Sequence, residues 1–146
     1  MRKFITLVLG VTALALPTVD AFAAAKAQAT VPKKKVITVS KTFTGAIAQT
    51  DRWGDMQVRI VVRKTTTIVI KTKKKTVTRK LISVKAPVSP NHTDRSIYIN
   101  EQALPTLIQE ALQAQSSGVD MVSGATDSSI AFQTSLQSAI LQAKAW

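Results

Sequence analysis

The chain contains no cysteine. Disulfides, a lipobox anchor, thiolate-held iron–sulfur clusters and CxxCH haem attachment are therefore all excluded. The fold must be held by its core alone. His92 is the only histidine, so a multi-histidine metal site cannot be built within one chain. Aromatic residues make up 5% of the sequence, too few for a platform that stacks single-stranded nucleic acid. Neither a Rossmann fingerprint nor a P-loop is present. Acidic residues are scarce too, and none occurs between Asp55 and Asp94. Beyond the N-terminal segment, no apolar run is long enough to cross a bilayer. There is no internal repeat.

What is present begins with 146 residues, a length suited to one domain plus processing segments. Arg2 and Lys3 precede an apolar run from Phe4 to Leu16, Pro17 ends it, and Ala21-Phe22-Ala23 supplies small residues. That layout predicts a secretory signal. An uncleaved anchor is the alternative, although the run is shorter than the ~20 residues a span needs. The expected organisation is a signal peptide over 1–23, a basic linker over 24–37 and a domain over 38–146. The mature protein is then extracytoplasmic: secreted, periplasmic or associated with the cell envelope. The formal charge is +12. Much of it falls in the acid-free window, which holds Arg59, Arg63, Lys64, Lys71, Arg79, Lys80 and Lys85 besides the triple lysine at 73–75.

Strand character begins at Val36–Val39 and continues through Thr42–Ala48. Asp51–Asp55 reads as a turn, with Gly54 available for positive φ. Two arms rich in Val, Ile and Thr follow, 57–70 and 76–84, with Lys73-Lys74-Lys75 expected at the tip of a long hairpin. Pro87 and Pro90 are expected to end the sheet. Pro90–Ser96 reads as a polar loop, with His92 exposed on it. Leu104, Leu107, Ile108, Ala111 and Leu112 recur at helical spacing, and Pro105 suits a first turn, so a helix is predicted from about Ala103. A second helix is predicted over 127–143, with Phe132, Leu136, Ala139, Ile140 and Ala143 as its apolar stripe. Trp146 is expected to be exposed. Strands first and two helices last predict an α+β fold. Its antiparallel sheet carries a long basic β-hairpin, and the two C-terminal helices pack on it.

The segment Asp120-Met121-Val122-Ser123-Gly124-Ala125-Thr126 stands immediately before the second helix. A helix start offers unpaired N–H groups and partial positive charge, which suit a phosphate. Gly124 lets the backbone approach closely, and Ala125 is too small to obstruct. Thr126, Ser123, Ser128 and Ser129 supply hydroxyls. From the residues alone, an ordinary N-cap preceded by turn-filling Gly-Ala is the stronger explanation.

The same seven residues resemble the attachment motif of the FMN-binding domain family, D-x-x-S/T-G-A-T. The resemblance extends upstream through Phe43-Thr44-Gly45, Trp53–Val58, Ile99-Asn100, Ala103–Leu107 and Glu110–Ser116. Downstream it includes Ala131–Ala139, and in all it covers most of residues 40–144. It implies FMN held covalently, as a phosphoester on Thr126, within the loop formed by Ser123, Gly124 and Ala125, with Ser128 in the next turn. Asp120 would help a transferase recognise the loop. A threonine hydroxyl is a poor nucleophile unaided, so an FAD-dependent flavin transferase is the implied partner. Trp53 is a candidate ring to lie against the isoalloxazine. Arg95 could face its pyrimidine edge and stabilise an anionic reduced state.

The resemblance also implies a small electron-transfer protein, not a stand-alone catalyst. An unidentified redox partner, such as a membrane reductase, would exchange electrons with it. Two departures stand out: the family's short hairpin is replaced here by the threonine- and lysine-rich extension, and an acid, Asp127, follows the threonine. The basic hairpin reads either as a solvated edge or as a docking element for an anionic envelope surface. Nucleic acid is not expected. The competing readings are a cofactor-free cationic envelope-binding module and a non-covalent FMN binder.

Overall fold

The structure is a computed structural model that describes residues 33–50 and 53–146. The expected signal peptide, nearly all of the linker, and the turn residues Asp51 and Arg52 lie outside the described residues. Four strands are followed by two helices: β1 (Lys34–Thr44), β2 (Ala48–Thr50), β3 (Gly54–Val69), β4 (Lys74–Val88), α1 (Asp94–Ala114) and α2 (Thr126–Ala145). All pairings are antiparallel and all run through β3. The α+β expectation holds, with α2 packed against β3 and α1 against β4. Among the described residues no helix is long and apolar enough to cross a membrane.

Period-two alternation on β3 builds the core. Met56, Val58, Ile60 and Val62 point to one face and are buried, as the alternation of side chains along a strand requires. Leu81 and Val84 of β4 and Phe43 of β1 join them from the flanking strands. Leu107 and Ala111 of α1, with Phe132, Leu136 and Ala139 of α2, close the other side. Burying a side chain the size of Phe132 or Leu136 contributes about 2 kcal/mol.

The join between sheet and α2 is tight at Gly45. Gly45, between β1 and β2, donates its N–H to the Val58 carbonyl at 2.7 Å. A Cβ at this position would overlap the Ser135 carbonyl oxygen and lie 2.6 Å from its Oγ. Ser135 is fully buried, and its hydroxyl replaces a missing strand partner. It accepts from the Val58 N–H at 2.8 Å and donates to the Ala46 carbonyl at 2.7 Å. Ser135→Ala leaves both backbone groups short of a partner. We expect it to cost about 2 kcal/mol, measured as a lowered urea midpoint with an unchanged m-value.

Several expectations require correction. Strand β1 starts at Lys34, inside the stretch read as linker, because Lys34–Ile37 find backbone partners at Val69–Thr66. The hairpin tip lies one turn earlier than the lysine run suggested. Ile70–Lys73 form it, Lys73 takes φ 53°, and Lys74 and Lys75 are already paired in β4. Pro87 lies within β4 instead of ending it, at a register shift between Gln57 and Arg59. A bulge on an edge strand is where a residue lacking N–H costs least.

Helix α1 begins nine residues before the expected start. Thr93 caps it, its Oγ1 accepting from the Ser96 N–H at 3.1 Å, and Asp94 sits in the positive first turn. Pro105 is therefore in the helix interior, exposed, on the side away from the buried stripe of Ala103, Leu107 and Ala111. Trp146 is not free. It packs on the core, 5.7 Å from the Phe43 ring, with Lys64 Nζ 4.8 Å above its own ring.

Past Val62 the helices no longer cover the sheet. Residues 33–42 and 70–80 are exposed and 64–69 are only half-buried. Strands β1, β3 and β4 thus continue beyond the body as a three-stranded arm.

Candidate functional site

The loop from α1 to α2 is shaped by its own backbone. Gln115 ends α1 in the left-handed conformation, its N–H bonded to the Ala111 carbonyl. Its side chain reaches across to β4, accepting from the Leu81 N–H at 2.8 Å and donating to the Leu81 carbonyl at 3.0 Å. Gln133 Nε2 holds the Val119 carbonyl at 2.6 Å. Next comes a tight turn in which the Ala125 N–H bonds the Val122 carbonyl at 2.9 Å. Gly124 takes φ +80° there, a conformation that β-carbons disfavour. Ser129, fully buried, closes the turn: its Oγ donates to the Ala125 carbonyl at 2.9 Å and accepts from the Val122 N–H at 3.1 Å.

This turn delivers Thr126 as the first residue of α2, exposed, with Asp127 beside it in the first turn. No side chain caps this helix. The first intrahelical N–H bond is that of Ser129 to the Ala125 carbonyl, so the N–H groups of Thr126, Asp127 and Ser128 point out of the helix end. An anion placed there meets donors and the positive end of the helix dipole.

A cleft of about 230 Å³ opens onto that helix end. Gly124, Ala125, Thr126, Asp127 and Ser128 form one wall. Arg95, Ser96, Ile99 and Asn100 of α1, with Pro90, form another, and Trp53 also lines the cleft. The structure therefore brings Thr126, Gly124, Ala125, Ser128, Trp53 and Arg95 to one place from three separate parts of the chain. Ser123 and Asp120 do not line the cleft. Both are exposed on the loop outside it, and the Asp120 N–H donates to Glu110 Oε2 at 3.0 Å.

Trp53 is positioned by the loop before α1. His92 is exposed, as expected, and its Nδ1 lies 3.0 Å from the Trp53 carbonyl. Because that carbonyl can only accept, Nδ1 carries the proton. Gly54, the next residue, takes φ +112°, and a Cβ there would fall 2.6 Å from His92 Cε1. The turn reading of Gly54 holds, with the imidazole as a second reason for glycine.

Asn100 is the cleft residue that sequence reasoning missed. It is 3% exposed. Its Nδ2 donates to the Pro90 carbonyl at 2.8 Å, which fixes the amide orientation, and its Oδ1 has no hydrogen-bond partner. A buried acceptor left unmet costs about 1–3 kcal/mol, so a donor from a bound molecule would be favoured there. In the sequence it stood only within the Ile99-Asn100 segment of the family resemblance, ahead of the expected helix start and with no role assigned to it.

A model of the FMN-binding domain matches residues 51–141, more than half of the chain. The chain belongs to the FMN-binding domain family. It is a flavin-binding protein whose cofactor is FMN. Comparison with curated proteins gives no match.

The cleft suits that cofactor. The helix end suits a phosphate, Asn100 Oδ1 suits a donor, and Trp53 offers a planar surface. At about 230 Å³ the cleft is smaller than sites that engulf a drug-sized ligand, about 300–1,000 Å³.

Proposed function

We propose that FMN is held covalently through a phosphoester on Thr126 Oγ1, and that the protein serves as an extracytoplasmic electron relay. The observation that carries the attachment is the placement of an exposed threonine hydroxyl on the uncapped N-terminus of α2, inside the cleft. The transfer balances with FAD as donor. The Thr126 oxygen attacks the FMN phosphorus, the pyrophosphate bond breaks, AMP leaves, and the hydroxyl proton is released. No base stands within the described hydrogen bonds of Thr126, which supports a separate FAD-dependent transferase as the source of activation. Asp120 and Ser123, exposed on the loop and outside the cleft, are placed where such an enzyme could grip the motif.

Within the cleft, the N–H groups of residues 126–128 and the Ser128 hydroxyl would hold the phosphate, Asn100 Oδ1 would accept a hydrogen bond from the cofactor, and Trp53 would offer it a planar surface. Once bound, FMN supplies one- and two-electron redox chemistry. Arg95 contributes positive charge on the α1 wall and favours the anionic reduced flavin. Because Arg95 is exposed, solvent screening limits its effect. We expect Arg95→Gln to lower the reduction potential by about 30 mV for the two-electron couple, less at high salt, as read by spectroelectrochemistry. An equal or higher potential would remove Arg95 from this role.

Tethering supports a site of action outside the cytoplasm, where lost FMN could not readily be replaced, and is consistent with the signal-like N-terminus. The redox partner would be another protein, for which a membrane reductase is the first candidate. The chain itself brings no second redox centre built from cysteine.

A further inference from the structure

The three-stranded arm has a composition that neither flavin binding nor edge protection requires. Every ionisable residue on it, over 33–42 and 63–80, is a lysine or arginine. Yet it also exposes branched aliphatic side chains: Val36 by 59%, Ile37 by 42%, Val39 by 50%, Ile70 by 58% and Val77 by 37%.

Their arrangement follows from register. Directly opposed residues on paired strands share a face. Ile37, Thr66 and Val77 form one row. On the same face, two residues along in each direction, stand the rows Lys35–Ile68–Lys75 and Val39–Lys64–Arg79. Cations and aliphatics therefore alternate across one surface. Ile70 continues it at the tip between Lys71 and the strands, beside Lys73. The opposite face also carries charge, in the rows Lys34–Val69–Lys74 and Ser40–Arg63–Lys80, but between them it is mostly threonine: Val36 stands in a row with Thr67 and Thr76, and Thr38, Thr65 and Thr78 form the next.

We propose that this arm docks the protein on an anionic lipid bilayer. The lysines and arginines would meet acidic headgroups, and Ile70, Ile37 and Val77 would enter the headgroup–acyl boundary. A solvated edge strand gains from lysine but not from exposed isoleucine and valine. A soluble polyanion would be met by the charges alone, and a single-stranded nucleic acid would call for aromatic rings, which the arm lacks. Interfacial membrane binding draws on both kinds of side chain, apolar area and electrostatic attraction together. The inference does not depend on how FMN is attached.

The test uses the full chain and sedimentation with phosphatidylcholine vesicles, with and without phosphatidylglycerol, at low and high salt. Two variants accompany it, each confirmed as folded by circular dichroism. One removes charge (Lys71→Ser, Lys73→Ser, Lys75→Ser) and one removes aliphatic side chains (Ile37→Ser, Ile70→Ser, Val77→Ser). The wild type should bind the anionic vesicles selectively and release them as salt rises. The charge variant should lose affinity by about a hundredfold. The aliphatic variant should lose vesicle affinity by about tenfold or more while holding dextran sulfate as the wild type does. Vesicle binding unchanged in both variants would overturn the proposal, because the N-terminal apolar segment would then account for it. An aliphatic variant with full vesicle affinity would overturn it in favour of an anionic polymer. Absence of binding to anionic vesicles would overturn it outright.

Discussion

Thr126→Ala, co-expressed with an active flavin transferase, should emerge at its unmodified mass while the wild type gains roughly 438 Da, one FMN less one water. The effect is all or none because a phosphoester needs the hydroxyl oxygen, and alanine supplies nothing in its place. Ser123 and Ser128 offer hydroxyls nearby, but Ser123 lies outside the cleft and Ser128 is buried, so neither should substitute. Thr126 is exposed at the first position of α2 and makes no capping bond. The alanine variant should therefore keep the wild-type melting temperature, which separates loss of the acceptor from loss of the fold. Thr126→Ser should retain the adduct in part. If the wild type itself stays unmodified beside a control substrate that is flavinylated, covalent attachment fails. Colour lost on denaturation would then identify the non-covalent FMN binder.

Gly45→Ala should be the most destabilising glycine-to-alanine change among the described residues. The added carbon would overlap the Ser135 carbonyl oxygen, a backbone atom in the middle of α2 that cannot rotate away. Relief requires moving α2 off β3, and α2 carries Phe132 and Leu136 into the core on either side of Ser135. It would also stretch the two bonds of the Ser135 hydroxyl to Val58 and Ala46. Overpacking of this kind costs about 3 kcal/mol, a large part of the ~5–15 kcal/mol that holds a domain of this size folded. Urea denaturation of the two proteins side by side reads the loss directly. A midpoint within error of the wild type would mean that sheet and helix approach less closely than the structure shows.

One regular pattern was legible in the sequence. The 3.6-residue stripe of α2 identified the core residues Phe132, Leu136, Ala139 and Ala143, because burial on one face leaves a periodic trace. The β3 arm was legible as a strand from its Val, Ile and Thr content, but which of its residues face the core was not. Gly54 announced its turn because few other residues accept its φ. The start of α1 was not legible. Asn91–Ser96 is uniformly polar, and what makes it a helix start is a side-chain bond from Thr93 to a backbone N–H three residues on, which periodicity does not register. Pro105 misled for the opposite reason. Its penalty inside a helix is local, and burial of Leu107 and Ala111 outweighs it. The attachment motif and Trp53 could be singled out from sequence. Asn100 could not, since an unmet acceptor becomes visible only once burial and the bond to Pro90 are known.

Strand β3 is also a ruler. It begins at Gly54, next to the tryptophan that lines the cleft, and ends at Val69, where the arm turns. Sixteen residues at ~3.3 Å each span about 50 Å. Whatever grips the tip is held that far from whatever approaches the cleft, and the two encounters do not compete for space. The gauge can be reset only in even steps. Removing one residue from each strand of the arm would exchange its two faces, whereas removing two shortens the reach by ~6.6 Å and leaves every row facing as before.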